Sequence, residues 1–283
     1  MTLMVANQGG ISAQGTKPQK PRSWGWLLAF AIGLPLVSVV AISALVVVLA
    51  AGFDGQSRRF GRGVDESPVL RETWSCGAGR TKVVRIPVKG VLMEQQESGP
   101  FAARGPVESA LRQIRAATAD DNVRAIILEV DSPGGGLTAS DLIYKALVDF
   151  KAESPGRHVV ALLGDMAASG GYYVTTSSDY IVAQPTTITG SLGVLITKVN
   201  VKKLGDDYGV KLETIKSGRN KDILSPFSDL SEEQRTVLQE VVDEMQQRFV
   251  SLVLKARPGV ARDAVPRLTD GRVFTSSKAL EYK

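Results

Sequence analysis

The chain has 283 residues, of which 43% are hydrophobic and 22% are charged, so its composition excludes a disordered protein and predicts one or two folded domains. Its net charge of +5 comes largely from the N-terminal end, where Lys17, Lys20 and Arg22 precede the first acidic residue, Asp54. The remainder holds 31 basic and 29 acidic residues, because three of the 34 basic residues precede Asp54. A near-balanced charge offers no clustered basic face, so no nucleic-acid partner is predicted.

The only cysteine, Cys76, excludes an intrachain disulfide framework and a multi-cysteine zinc site. It stands in a Ser-Cys-Gly-Ala-Gly loop, far in sequence from the motifs described below. We interpret it as structural or incidental, and we predict no cofactor and no metal.

Residues 24–52 form a long apolar segment without an ionisable side chain. A helix of about 20 such residues spans the hydrocarbon core of a bilayer, and Trp24 and Trp26 stand where an interfacial aromatic belt is expected. A cleaved signal peptide is the alternative, with the small residues 50–52 as a cleavage point, but its apolar region is normally ~7–15 residues long. We therefore predict an uncleaved, single-pass membrane anchor.

Basic residues flank the anchor on both sides, so the positive-inside rule hardly discriminates between orientations. The lack of acidic residues before the anchor and the short tail favour an N-terminus inside the cell and a folded domain outside the cytoplasm. Arg58, Arg59 and Arg62 follow the anchor as a solvated linker or a membrane-surface patch. The predicted organisation is a basic cytoplasmic tail at 1–23, the anchor at 24–52, a linker at 53–80 and a folded domain at 81–283.

Strand and helix signals alternate along the folded domain. Strands are predicted at 81–92, 123–130, 159–163 and 210–215, short strands or turns at 181–183 and 188–194, and helices at 106–115, 137–151 and 200–208. A capping box at Ser231 and Gln234 opens a longer helix that Pro258 ends, with an apolar stripe that is core or a contact between copies. Strands that alternate with helices imply βαβ units and an α/β fold.

The motif DSPGGG at 131–136 follows the predicted strand at 123–130. Its three glycines let the backbone turn sharply and leave N–H groups open to a phosphate or a developing oxyanion. The spacing matches neither the G-x-G-x-x-G nor the Walker pattern, so it gives little support to nucleotide binding. A tight turn from strand to helix is the alternative.

The motif GDMAASGGYY at 164–173 places Ser169 among small residues at a predicted strand-to-helix turn. A nucleophile is exposed near backbone donors at such a turn, although close packing also calls for small residues. The only histidine, His158, begins the same predicted strand, which puts it roughly 20 Å or more from the turn at ~3.3 Å per residue. A Ser-His-Asp triad within the chain is therefore not predicted, and His158 is expected at the surface or at a strand end.

Lysine can replace histidine as a base when burial lowers its pKa. Lys221 is the best candidate by its surroundings, because SGRNKDILSPF at 217–227 has turn residues on one side of it and apolar residues on the other. The chain has many other lysines, and an exposed loop lysine is the alternative.

Four motifs occur in one order between residues 131 and 227: DSPGGG, GDMAASGGYY, PTTITGSLGV and SGRNKDILSPF. Together they resemble the bacterial signal peptide peptidase A family, and the similarity runs from about residue 81 to the end. The resemblance implies a ClpP/crotonase-like α/β fold. It also implies a serine endopeptidase anchored in the inner membrane of a bacterial cell, which degrades released signal peptides and other apolar peptides.

By this resemblance, Ser169 is the nucleophile, Lys221 is the general base, and Ser191 hydrogen-bonds and orients the lysine. The separation of Ser169 and Lys221 suits the half-length members of the family. In these members, the resemblance implies, rings of protomers assemble each dyad from neighbouring chains, so that monomers are inactive.

The resemblance also assigns the oxyanion hole to the glycine loop at Gly134 and Gly135, with the N–H of Gly170 as a further donor. Residues 271–283 resemble the closing helix of the family, but the strand expected after them is absent, which indicates a truncated C-terminal end. Two other functions stay open: a crotonase-like enzyme acting on acyl-CoA or acyl esters, and a catalytically silent membrane scaffold of the same fold.

Overall fold

The computed structural model describes residues 68, 70–94 and 105–283, all of which belong to one structural unit, Asp65–Lys283. The predicted tail and anchor at 1–52, and most of the predicted linker, lie outside the described residues. No helix in the part that is described combines the length and the apolar character needed to cross a bilayer.

Strands and helices alternate through the first half of the described domain, as predicted. The six strands of the described part are β1 (Lys82–Lys89), β2 (Val123–Ser132), β3 (His158–Ala168), β4 (Tyr180–Ala183), β5 (Ile188–Gly190) and β6 (Val273–Thr275). Its α-helices are α1 (Pro106–Thr118), α2 (Leu137–Glu153), α3 (Gly170–Thr175), α4 (Lys202–Asp207), α5 (Glu232–Ala256), α6 (Val265–Leu268) and α7 (Ser276–Glu281).

The strands form one sheet in the order β1-β2-β3-β5-β6, with β4 paired to the first half of β3. The pairs among β1, β2 and β3 are parallel, as are the pairs that β3 makes with β4 and β5. Only β6 runs antiparallel to its neighbour, β5. The predicted α/β fold built from βαβ units is therefore confirmed.

The core lies on one face of the sheet, and the residue pattern of β1 explains why. Val84, Ile86 and Val88 are buried, whereas the residues between them are exposed. On β2 the same period buries Ile126, Leu128 and Val130 against α1 and α2. Because each fully buried aliphatic side chain contributes about 1.5–3 kcal/mol, this face supplies much of the stability of the domain.

The pairing of β2 with β3 has a register irregularity just before Ser169. Val130 of β2 pairs with Leu163, and the next pair joins Ser132 to Ala167. Between these two pairs β3 therefore has more residues than β2. The Asp131 carboxylate accepts a hydrogen bond from the Met166 N–H at 3.2 Å across this irregularity. Bulges bend a strand and redirect its end. The irregularity divides β3 into a first half that pairs with β4 and an end that pairs with β5.

The long helix α5 begins with the predicted capping box. The Gln234 N–H donates to Ser231 Oγ at 3.2 Å, and the Ser231 N–H donates to Gln234 Oε1 at 3.1 Å. Farther along the helix, Phe249 and Val253 are buried in a small cluster with Tyr173. The N-terminal part of the apolar stripe stays partly exposed within one chain.

The fold differs from the sequence-based expectation in two places. Residues 210–215 are not a strand, because no described strand runs beside them to accept a ladder of hydrogen bonds. The segment at 188–194, expected as a short strand or turn, is a strand only as far as Gly190. Its antiparallel partner is the three-residue strand Val273–Thr275, which was not predicted. A strand this short carries too few residues to show an alternating pattern.

Asp179 supports one prediction on acid stability. Its carboxylate accepts hydrogen bonds from Lys151 Nζ at 2.8 Å and from the Val159 N–H at 2.9 Å, and it lies 3.4 Å from His158 Nδ1. Burial alone raises the pKa of Asp179, but the hydrogen bonds and charges of these neighbours outweigh it and lower the pKa below 3.8. The carboxylate therefore stabilises the fold above that pH, and this contribution is lost as the pH falls through the lowered pKa.

We expect Asp179→Asn to lower stability at pH 7 by on the order of 1 kcal/mol, or ~2–4 °C in Tm, and to lower Tm less near pH 3, where part of the contribution of the carboxylate is already lost. The matched control is Asp149→Asn, which removes an exposed i,i+4 pair with Lys145 from α2 and should change Tm little. Thermal unfolding followed by circular dichroism at pH 7 and pH 3 measures the change in Tm of both variants. An equal loss of Tm at pH 7 and pH 3 would contradict the ionic origin of the effect.

Candidate active site

Ser169 lies between β3 and α3, on the sharp turn that joins the end of the strand to the start of the helix. Its backbone has φ 53° and ψ −123°, a conformation that costs an L-residue about 1–3 kcal/mol. The Ser169 N–H donates to the Gly190 carbonyl at 2.8 Å, and the Tyr173 N–H donates to the Ser169 carbonyl at 2.9 Å. A serine held in a strained strand-to-helix turn has the geometry of a nucleophile elbow.

The glycine loop at 134–136 lies directly against this turn. Gly134 has φ 100°, and a Cβ added to it would lie 2.6 Å from the Gly170 nitrogen and 2.8 Å from the Ser169 Cβ. A Cβ added to Gly170 would lie 3.2 Å from the Gly135 nitrogen. Glycine is required because the two backbones approach each other too closely for a side chain. The structure thus brings Gly134, Gly135 and Gly170 together with Ser169.

The hydrogen bonds of this loop distinguish among the three predicted oxyanion donors. The Gly134 N–H donates to Ser132 Oγ at 3.1 Å, and that hydroxyl donates to the Gly90 carbonyl at 2.6 Å. No described residue accepts a hydrogen bond from the N–H of Gly135 or of Gly170. Gly170 is buried, and a backbone N–H away from water rarely stays unpaired, whereas Gly135 is exposed to solvent. The pair formed by Gly135 and Gly170 is therefore available to a ligand oxygen, whereas the Gly134 N–H is occupied.

The glycine loop is also fixed on the side away from Ser169. The Leu92 N–H donates to the Gly134 carbonyl at 2.9 Å, and the Gly136 N–H donates to the Leu92 carbonyl at 2.7 Å. A Cβ at Gly135 would overlap the Leu92 carbonyl oxygen. Sequence reasoning missed both supports of the loop: Ser132 stands within the motif and could have been suspected, but nothing in the sequence pointed to Leu92.

Ser191 lies at the end of the strand next to Ser169. It follows Gly190, whose carbonyl accepts the Ser169 N–H, and its own N–H donates to the Arg272 carbonyl at 2.7 Å. Its φ of 52° makes it the second serine of the site in a left-handed conformation. The structure therefore places Ser191 beside the nucleophile turn, and no described residue is hydrogen-bonded to its hydroxyl.

Lys221 lies elsewhere, on an exposed turn in which its N–H donates to the Gly218 carbonyl at 3.2 Å. The neighbouring ion pair of Lys216 and Asp222, at 2.5 Å, ties the two ends of this turn together. The Lys221 ammonium makes no hydrogen bond or ion pair with any residue in the described ranges. Within one chain, therefore, Lys221 is not hydrogen-bonded to Ser169.

The segment that carries Lys221 exposes many large apolar side chains. They lie between residues 195 and 224, and comprise Leu195, Ile196, Val199, Leu204, Tyr208, Val210, Leu212, Ile215 and Leu224. Leu195 and Tyr208 are each 80% exposed. Exposed apolar side chains at this density along one segment favour a protein–protein contact.

His158 is the first residue of β3, at the opposite end of the strand from Ser169, and its side chain is 63% exposed. The prediction that it is a surface or strand-end residue is confirmed. Among the described residues, no group of three or more His, Cys, Asp or Glu side chains is arranged to hold a metal ion.

The fold and the site together define an α/β protein with a strained serine beside two open N–H donors. Residues 151–283 match the model of peptidase family S49. The chain is 37% identical over 215 residues to a putative signal peptide peptidase SppA of Enterococcus faecium, covering 75% of this chain and 61% of that relative. It is 36% identical over 202 residues to a putative protease of Synechocystis sp., covering 71% of this chain and 68% of the relative.

The chain also matches protease 4 of Salmonella typhi, with 35% identity over 194 residues, 69% of this chain and 30% of the relative. The chain belongs to peptidase family S49, and the resemblance to the signal peptide peptidase A family is confirmed. The matched part spans 61% of the Enterococcus relative and less than a third of the Salmonella one.

Proposed function

We propose that this protein is a serine endopeptidase in which Ser169 is the nucleophile and Lys221 of a neighbouring copy is the general base. The observation that carries the proposal is the strained turn at Ser169, packed against the open N–H groups of Gly135 and Gly170. A half-buried serine beside two backbone N–H groups that are free to donate is an arrangement that acyl transfer can use.

In the proposed mechanism, Ser169 Oγ attacks the carbonyl carbon of a peptide bond while its proton passes to neutral Lys221. The N–H groups of Gly135 and Gly170 donate to the oxygen of the tetrahedral intermediate. Lys221 then gives the proton to the leaving amine, which leaves an acyl ester on Ser169. Water, deprotonated by the same lysine, hydrolyses the ester.

The place of Lys221 in an assembly is supported by what a single chain exposes. Its ammonium points from an exposed turn, and the segment around it presents the apolar surface described above. Packing of this surface against the next copy would remove Lys221 from water, which favours the neutral lysine that a base must be. Ser191 would then accept or donate a hydrogen bond that orients the lysine beside Ser169.

The rest of the proposal follows the family. The fold would be ClpP/crotonase-like, and residues 24–52 would anchor the protein in the bacterial inner membrane with the domain of 81–283 outside the cytoplasm. Released signal peptides and other apolar peptides would be the substrates. The Enterococcus relative carries the name of a signal peptide peptidase, which supports this substrate class.

The direct test is covalent labelling of the full chain in detergent with a serine-reactive fluorophosphonate, followed by peptide mass analysis. We expect one labelled residue, Ser169, and cleavage of an unstructured apolar peptide that is lost in Ser169→Ala. Turnover of a CoA thioester instead of a peptide would favour a crotonase-like enzyme. If an assembled wild-type protein showed no labelling and no turnover, the silent scaffold would be favoured.

A further inference from the structure

A hydrogen-bond network connects three helices beside the candidate active site. The buried Tyr173 hydroxyl of α3 donates to Asp141 Oδ1 of α2 at 2.6 Å, and Arg248 Nη2 of α5 donates to the same oxygen at 2.6 Å. Tyr173 is fully buried, whereas the Arg248 side chain is 54% exposed. The network therefore runs from the surface to the interior.

Two of these helices begin at the two halves of the candidate oxyanion hole. The helix α2 starts directly after the glycine loop, and Asp141 lies six residues beyond Gly135. The helix α3 starts at Gly170, and Tyr173 lies within its first turn. The hydrogen bond between Tyr173 and Asp141 therefore joins two helices. One begins just after Gly135 and the other begins at Gly170, the two residues with the open N–H groups.

The packing around the contact leaves the two helices little room to slide. A Cβ at Gly170 would overlap Ser140 Oγ, the hydroxyl of the residue before Asp141. The Tyr173 ring also contacts Tyr144 edge-on, with centroids 5.9 Å apart, and Phe249 at 4.9 Å. Aromatic packing holds the ring against its neighbours, and the directed hydrogen bond adds a fixed distance between Tyr173 of α3 and Asp141 of α2.

The Tyr173 hydroxyl acts only as a donor to the carboxylate under ordinary conditions. Burial and the neighbouring Asp141 raise the pKa of Tyr173 well above the ordinary tyrosine range, so its proton stays on the phenol at neutral pH. A hydrogen bond from a neutral donor to a carboxylate is shorter and stronger than one between two neutral groups. The contact therefore suits a role in holding geometry.

We propose that Asp141 is a positioning residue, which acts through Tyr173 to set the distance between the N–H donors of Gly135 and Gly170. This inference rests on the proposed function, because it assigns those two donors to the oxyanion. Oxyanion donors contribute only when they meet the developing charge at hydrogen-bond distance. Asp141 does not touch the substrate, and its effect passes through the relative position of α2 and α3.

The test compares Tyr173→Phe with Tyr144→Phe in the full chain. Both changes remove one hydroxyl from the same aromatic cluster, but the Tyr144 hydroxyl is hydrogen-bonded to no described residue. We expect Tyr173→Phe to lower kcat about 10-fold with KM changed less than about 2-fold, since only the transition state uses the donors. The affinity for a peptide boronate, which forms a tetrahedral adduct on Ser169, should fall by a similar factor of about 10.

Two changes at Asp141 separate positioning from packing. Asp141→Asn keeps an oxygen that can accept from Tyr173 and should stay within about 3-fold of the wild-type kcat. Asp141→Leu removes the acceptor and should match Tyr173→Phe in both kcat and boronate affinity. If Tyr173→Phe did not fold, the two Asp141 variants would carry the same comparison.

The outcomes distinguish this inference from the function on which it rests. An active wild type in which Tyr173→Phe and Asp141→Leu behave like Tyr144→Phe overturns the positioning role alone. A lower kcat with a higher KM and a lower Tm, while the boronate affinity is unchanged, also overturns the positioning role. That pattern indicates a structural role. A protein that retains full activity in Ser169→Ala overturns the proposed function first.

Discussion

Replacement of Lys221 by alanine is expected to reduce peptide cleavage by about 10³-fold or more, and to slow fluorophosphonate labelling of Ser169 to a similar extent. Without a base, the Ser169 hydroxyl keeps its proton and is a weak nucleophile. The peptide should still bind, because the oxyanion donors and the assembly are unchanged. Cleavage kinetics with a quenched fluorescent peptide and size-exclusion chromatography in detergent measure the two properties separately.

Two further variants show whether Lys221 acts as a base or merely as a charge. Lys221→Arg keeps the positive charge but should be as inactive as Lys221→Ala, because a guanidinium does not give up its proton in proteins. Lys145→Ala removes an exposed lysine from α2, outside the segment that carries Lys221, and should leave activity unchanged. Activity retained in Lys221→Arg would show that the lysine contributes charge, and would exclude it as the base.

The second large effect is expected from Gly134→Ala. The new Cβ would lie 2.6 Å from the Gly170 nitrogen, 2.8 Å from the Ser169 Cβ and 3.0 Å from the Ala168 carbonyl oxygen. Either the glycine loop or the nucleophile turn must then move. A displacement of about 1 Å at the reacting centre costs on the order of 10²-fold in rate, so we expect kcat to fall at least that far.

Gly156→Ala is the matched control for this change. Gly156 also has a positive φ, 80°, so alanine there carries a similar backbone strain of about 1–2 kcal/mol. A Cβ at Gly156 meets no described atom within 4 Å, and the residue lies in the turn before β3, at the end opposite Ser169. Equal losses of kcat in the two variants would mean that strain, and not the approach to Ser169, is responsible.

Much of the fold could be predicted because its strands carry their own signal. The alternation of Val84, Ile86 and Val88 with exposed residues marks β1, and the apolar run of β2 marks a strand at the centre of the sheet. By contrast, Val273–Thr275 is defined only by its pairing with Ile188–Gly190, which lies far away in sequence. A strand that exists because of its partner cannot be found from local pattern.

The candidate site was predictable in parts, and for different physical reasons. Ser169 could be reached from local chemistry, since small residues at a strand-to-helix turn and a distant His158 leave few other arrangements. The occupied N–H of Gly134 could not be foreseen, because the sequence does not say which of several adjacent donors the Ser132 hydroxyl would take. The contact between Asp141 and Tyr173 joins residues 32 positions apart and has no local signal.

Lys221 shows the clearest limit of single-chain reasoning. Its identification came from family resemblance, and the structure of one chain leaves it exposed and without a hydrogen bond to Ser169. If a neighbouring copy buries the lysine, as proposed, the structure of a single chain does not show that burial. The exposed apolar side chains around Lys221 support the proposed contact with a neighbouring copy, because such side chains are typical of protein–protein contacts.

Mixing two inactive variants tests most directly whether neighbouring copies share the dyad. Ser169→Ala and Lys221→Ala chains, carrying different affinity tags, are coexpressed in equal amounts, and the oligomers that contain both tags are purified. If each site takes Ser169 from one chain and Lys221 from the next, about a quarter of the contacts in a randomly mixed ring join two intact residues. We predict about a quarter of the wild-type activity per chain; mixed oligomers with no activity at any ratio would contradict a dyad shared between chains.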